Sequence, residues 1–248
     1  MKLGVSNLAW GNIDYSILKQ NNINYIEIIL PKFIDWDNIN LTKVKHFITN
    51  NTEHNINVLS TQSILFNSKV NSFHDVNFTT HIKKIIDICN EIKIDKLVLG
   101  APSLRKGKLD VGLADNFHYI NEILKESNKI LLLEPNSKEY KGNYFYTIKE
   151  IANFITQNNF SNIKTMIDTH NILLENEDPS EMFRMYQPLI KHVHISEQNL
   201  QDFTYSNTHV ELAKTLKELN YNDLVIYEAK PSINLKTSIE LFNKTYNI

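Results

Sequence analysis

Short apolar runs alternate with longer segments of helical period from one end of the chain to the other. Runs of strand length fall at residues 3–7, 25–30, 57–62, 96–99, 130–134, 165–168, 192–195 and 224–228. Between them, apolar residues recur at spacings of three and four, as in Phe117, Ile120, Ile123 and Leu124, or Leu212, Ala213, Leu216 and Leu219. That spacing predicts helices with one apolar face. Strand–helix alternation implies a parallel sheet, because parallel neighbours need a crossover rather than a tight turn. Eight such units without a Gly/Ser-rich linker predict an α/β fold, a single (β/α)8 TIM barrel occupying residues 1–248 as one domain. The competing arrangement is an open doubly wound sheet, and no Gly-x-Gly-x-x-Gly turn follows any strand to support it.

Composition agrees with this picture and narrows the partners. At 248 residues, with 42% hydrophobic and 22% charged residues, the chain has the make-up of a globular protein rather than a disordered one. A formal net charge of −2 leaves no global field to recruit nucleic acid or an anionic membrane. The apolar runs are strand-sized and the N-terminal one is too short for a signal peptide, so a cytoplasmic protein is expected. The only cysteine, Cys89, lies on a helical stripe with Ile82, Ile85, Ile86 and Ile92 and reads as a buried thiol. Arginine occurs twice, at Arg105 and Arg184, and the longest basic stretch is Arg105-Lys106-Gly107-Lys108.

In a barrel of this kind the functional face lies at the C-terminal ends of the strands. The last four runs each carry a metal-competent side chain at or next to their final residue: Glu134, Asp168, His194 and Glu228, separated by 34, 26 and 34 residues, about one βα unit each. Strand alternation puts Glu134 on the face of Leu132, Asp168 on that of Met166 and Glu228 on that of Ile226, so all can point into the barrel mouth. A single carboxylate after a strand is more often a turn residue or helix cap. Three carboxylates and a histidine in consecutive strands, one carboxylate following three leucines, call for a compensating charge, and one divalent cation supplies it. Three carboxylates and an imidazole suit Mn2+ or Mg2+ best, with Zn2+ and Co2+ also within their range. His192 shares the parity of His194 but lies deeper, where a hydrogen-bonded core histidine is expected. His46, His54, His81 and His118 fall on helices and are expected to be solvated.

The runs Leu133-Glu134-Pro135-Asn136, Ile167-Asp168-Thr169-His170, His192-Val193-His194-Ile195-Ser196-Glu197 and Val225-Ile226-Tyr227-Glu228 resemble the last four strand ends of the xylose isomerase-like barrels. These include sugar-phosphate isomerases and epimerases, the ketose 3-epimerases among them. The segment Gly100-Ala101-Pro102-Ser103-Leu104-Arg105 also resembles a loop seen after strand four in some members. The resemblance implies that the four residues bind the metal and that Glu134 and Glu228 form the acid/base pair. It further implies an epimerase or isomerase that works through an enediolate on a small carbohydrate, plain, phosphorylated or nucleotide-linked. Dimers are common among such barrels, so a homodimer is expected.

Around this centre the expected substrate contacts are Trp10 after strand one, Glu27 on strand two, Gln62 on strand three, and Asn136, Glu197 and Lys230 beside the ligands. Two departures stand out. The family's Asp-x-x-His becomes Asp168-Thr169-His170-Asn171, which moves the histidine one residue earlier, so His170 takes the role of substrate contact. Leu200 stands where ketose 3-epimerases have an arginine, leaving Arg105, Lys106 and Lys108 as replacement cationic contacts. The same residues would also serve an enolising lyase or dehydratase, or a sugar-binding barrel without activity. An apurinic-site endonuclease is disfavoured, since Thr61-Gln62-Ser63 and Gly100-Ala101-Pro102 occupy the positions of its additional histidines and the chain is not basic.

Overall fold

The computed structural model describes residues 1–10 and 13–248. Eight strands, β1 (Lys2–Ser6), β2 (Tyr25–Ile29), β3 (Asn57–Gln62), β4 (Lys96–Leu99), β5 (Ile130–Leu133), β6 (Ile163–Asp168), β7 (Ile190–Ser196) and β8 (Leu224–Glu228), close in chain order into a barrel. Every neighbouring pair is parallel, and β8 returns to β1 through the register Gly4↔Ile226. The helices follow as α1 (Tyr15–Gln20), α2 (Thr42–Glu53), α3 (Val76–Ile92), α4 (Val111–Glu126), α5 (Ile148–Gln157), α6 (Thr169–Leu174), α7 (Pro179–Tyr186), α8 (Asn207–Glu218) and α9 (Leu235–Tyr246).

Local chemistry explains where the helices begin. Asp75, Asp110 and Ser206 each accept a backbone N–H in the first turn of α3, α4 and α8. Thr147 caps α5, its hydroxyl accepting the Glu150 N–H at 3.1 Å, and the Glu150 carboxylate reaches back to accept the Tyr146 N–H, one residue before the cap, at 2.9 Å. The helices bury their apolar faces on the sheet in one layer that includes Phe117, Ile120, Leu212 and Leu216. A second, smaller cluster of Val98, Leu132 and Met166 fills the barrel interior. Gly4 belongs to that interior: a Cβ there would come within 2.5 Å of the Ile226 side chain.

Strand bounds differ from the sequence expectation mainly at the lower end of the second half. β6 begins two residues earlier, at Ile163, and β7 runs from Ile190 to Ser196. Lys164 and Lys191 interrupt the apolar runs there, yet each sits on a strand at the barrel's lower rim. His81 corrects the expectation of a solvated helical histidine. It is buried on α3, packs edge-on against Trp36 with ring centroids 4.4 Å apart, and its Nε2 pairs with the Ile64 carbonyl at 3.1 Å. His46, His54 and His118 are exposed, and Cys89 is fully buried.

Candidate metal centre

Glu134, Asp168, His194 and Glu228 converge at the upper mouth, with one donor atom from each within 4.8 Å of all the others. Glu134 is the first residue after β5, Asp168 and Glu228 end β6 and β8, and His194 lies two residues from the end of β7. Register sets their heights: Asp168 pairs with His194 across β6 and β7, and Ser196 with Glu228 across β7 and β8. His194 Nδ1 is buried without a hydrogen-bond partner, 3.5 Å from Glu134 Oε1 and 3.4 Å from Glu228 Oε2. An unpaired nitrogen facing oxygens of two carboxylates fits a cation among them, and the donor set is the hard, oxygen-rich type that Mn2+ and Mg2+ prefer.

Bringing these four side chains together is electrostatically costly. Burial, together with the Glu134 and Glu228 carboxylates, pushes the Asp168 carboxyl up to about 7. Burial alone would lower the His194 imidazole, but Glu27, Glu228 and Glu134 outweigh it and hold the ring well above its ordinary range. Protons therefore stand in for positive charge at this spot.

The surrounding residues shape the ligands. Asp168 caps α6, taking the Asn171 N–H at 2.8 Å and the Ser196 hydroxyl at 3.0 Å, both on Oδ1. Asn136 donates to Glu134 Oε2 at 3.2 Å. Gly100 provides room: a Cβ there would lie 2.2 Å from Glu134 Oε2. Tyr140, in the loop after β5, feels the same charges: burial followed by Asp168, Glu139 and Glu134 raises its hydroxyl above the ordinary value. Gly100, Ser196 and Tyr140 received no role from the sequence. Ser196 carried a readable signal in its shared parity with His194, and Gly100 opened the segment that resembles the strand-four loop.

The other expected contacts scatter. Gln62 is buried near the mouth and donates to the Ser6 hydroxyl at 2.8 Å. Trp10 is buried in a cleft with Ile13, Phe33 and Phe47. His170 is half-buried at the rim of α6, its backbone N–H donating to Ser196 Oγ at 3.3 Å. Lys230 is exposed in a groove shared with Asn199, Leu200 and Ser232. Two residues are occupied elsewhere. Arg105 is 1% exposed, and its guanidinium donates to the carbonyls of Gly100, Glu134 and Phe145 at 2.7–2.9 Å. It therefore clamps the strand ends instead of presenting charge to a ligand, while Lys106 and Lys108 are exposed. Glu197 accepts from the Thr204 N–H at 2.8 Å and pairs with His209 at 3.1 Å, tying its loop to α8.

A closed (β/α)8 barrel with a carboxylate-rich mouth on its last four strands defines the class. The model of the xylose isomerase-like TIM barrels matches residues 16–245, and the chain belongs to that family. A D-psicose 3-epimerase of Enterocloster bolteae is 25% identical over 114 residues, 46% of this chain, and the match spans 38% of that relative's length. Among solved structures, 3-keto-D-glucoside 4-epimerase from E. coli superposes with a TM-score of 0.79 at 17% identity, covering 98% of this chain and 99% of the other. D-psicose 3-epimerase from Clostridium cellulolyticum H10, solved with D-tagatose, gives 0.74 at 14% identity over 100% and 92%. A family 2 AP endonuclease from Brucella melitensis gives 0.78 at 15% identity over 98% of both chains. These structural likenesses establish the shared fold. No helix among the described residues is long and apolar enough to cross a membrane.

Proposed function

We propose that this chain is a divalent-metal-dependent epimerase or isomerase of a small sugar, in which Glu134 and Glu228 exchange a proton with a carbon beside a carbonyl. The observation that carries the reading is the meeting of Glu134, Asp168, His194 and Glu228 donors within 4.8 Å at the barrel mouth. Mn2+ or Mg2+ held there would supply Lewis-acid stabilisation of the negative charge that develops on substrate oxygens when the proton leaves. The partial match to a D-psicose 3-epimerase supports sugar as the substrate class.

Glu134 arrives from β5 and Glu228 from β8, with Asp168 and His194 on the strands between them. A substrate seated in the mouth is thus approached by two carboxylates from different strands. One can accept the proton and the other return one to the opposite face, which inverts the carbon. If a single carboxylate carries the proton to the neighbouring carbon, the outcome is isomerisation. Asn136 orients Glu134 by its hydrogen bond to Oε2. Asp168, whose Oδ1 is fully engaged by Asn171 and Ser196, serves as a ligand rather than a base. Trp10, Gln62, His170 and Lys230 are proposed to surround the substrate from the remaining loops.

The test is solvent exchange. With Mn2+ present, D-psicose, D-fructose or D-tagatose incubated with the protein in deuterated water should acquire deuterium at a carbon next to the carbonyl. Absence of exchange with every ketose and aldose offered would contradict the reading.

A further inference from the structure

Below the mouth, a second polar group crosses the barrel interior at a depth otherwise filled by Val98, Leu132 and Met166. Glu27 of β2 reaches β7, where His194 Nε2 donates to Glu27 Oε1 at 2.7 Å and His192 Nε2 lies 2.9 Å from Glu27 Oε2. All three side chains are 0% exposed. The first contact is an aligned hydrogen bond; the second is a close polar contact off the hydrogen-bond line. A carboxylate taken this far from water is costly unless donors hold it, so its retention in an apolar layer calls for a task.

We infer that Glu27 is a positioning residue for the metal centre: its carboxylate fixes the ring of His194 so that Nδ1 is the nitrogen turned toward Glu134 and Glu228. This inference rests on the proposed metal site. Its logic is geometric. An ionised carboxylate only accepts hydrogen bonds, so a His194 nitrogen 2.7 Å from Oε1 must carry the hydrogen. With Nε2 committed as a donor to Glu27, the nitrogen open to a cation, which would displace any proton there, is the unpartnered Nδ1 of the mouth. His192 sits against the second oxygen and keeps the carboxylate from swinging away. A carboxylate behind a ligating histidine both sets the ring plane and makes the nitrogen a better donor. Glu27 was expected from sequence to meet substrate; its burial beneath His194 assigns it this role instead.

The alternative occupant of the trio is a second ion held by Glu27, His192 and His194, whose donor atoms also lie within 4.8 Å of one another. The 2.7 and 2.9 Å separations are those of direct polar contact, and the group is sealed from both ends of the barrel, which favours a metal-free trio.

The experiment is a calorimetric titration of chelator-treated protein with Mn2+, paired with the visible spectrum of the Co2+-loaded form. Native protein should bind one ion. Glu27→Gln should weaken Mn2+ binding by about 10- to 100-fold and shift the Co2+ bands, and His192→Gln should do so more mildly. Met166→Leu, at the same depth, should change neither readout. If native protein binds one ion and Glu27→Gln binds it equally with an unaltered spectrum, the positioning role is overturned while the metal site stands. If native protein binds no ion, both readings fall together. Two ions, one lost in Glu27→Gln, would overturn the positioning role in favour of a second site. Should Glu27→Gln not fold, His192→Gln carries the same comparison: weakened binding with altered bands supports the role, and native behaviour in both readouts overturns it.

Discussion

The two halves of the barrel contribute different things to the mouth. Strands β5–β8 deliver all four candidate ligands, each at or beside a strand end. Strands β1–β4 deliver none, but they supply what lets those ligands converge: the space left by Gly100 beside Glu134, the buried Glu27 behind His194, and the Gln62–Ser6 hydrogen bond along the rim. One half carries donors and the other carries geometry. Convergence of like charges is unfavourable on its own, so a site of this kind depends as much on the half that holds ligands in place as on the half that bears them.

Substitutions in each half should separate these contributions. The largest effect belongs to the donor half: Glu134→Gln or Glu228→Gln should lower the rate of deuterium exchange by roughly 10²- to 10⁴-fold. Next comes a substitution in the other half that replaces no donor. Gly100→Ala sets a methyl group 2.2 Å from Glu134 Oε2, and displacing that carboxylate by about an ångström should cost about 100-fold in exchange rate. An intact rate in Gly100→Ala would break the division proposed here.

Arg105 joins the halves, since its guanidinium ties the carbonyls of Gly100, Glu134 and Phe145. Arg105→Met leaves buried carbonyls unpaired and should destabilise the fold by about 2 kcal/mol, roughly thirtyfold in the folding equilibrium, measurable by urea unfolding.

Acidity should matter next. With Asp168 raised to about 7 and the His194 ring held well above its ordinary range, a bound ion must displace a proton from each, so Mn2+ affinity should rise with pH and fall by at least about tenfold per unit below 7. The sign for stability is the reverse. A carboxyl whose folded value exceeds its free value of 3.8 favours the fold while protonated, so metal-free protein should lose stability as pH climbs from about 4 to about 7. Added Mn2+ should restore it, as thermal unfolding would show. The smallest effect is expected at Glu197, engaged by Thr204 and His209; Glu197→Gln should change exchange less than about twofold.

The same division governs what could be read from sequence. The eight strands and the parity of Glu134, Asp168 and Glu228 follow from local rules, because hydrophobic alternation and strand ends are written in consecutive residues. His194 was legible through its place near the end of the seventh run, 26 residues after Asp168 and 34 before Glu228. Glu27 was seen as a strand-two polar residue but given to substrate, because its partners lie 165 and 167 residues away and only barrel closure brings them together. Arg105 misled for a related reason. A charged residue in a loop reads as exposed, yet the loop folds its guanidinium onto three carbonyls. Gly100 carried no chemical signal at all, since its contribution is the absence of a side chain beside a residue 34 positions away.

The most direct test of the account is an anomalous-scattering map from crystals grown with Mn2+. One peak surrounded by Glu134, Asp168, His194 Nδ1 and Glu228, with none among Glu27, His192 and His194, is the predicted result. No peak at the mouth, or a peak in the buried trio alone, would contradict it.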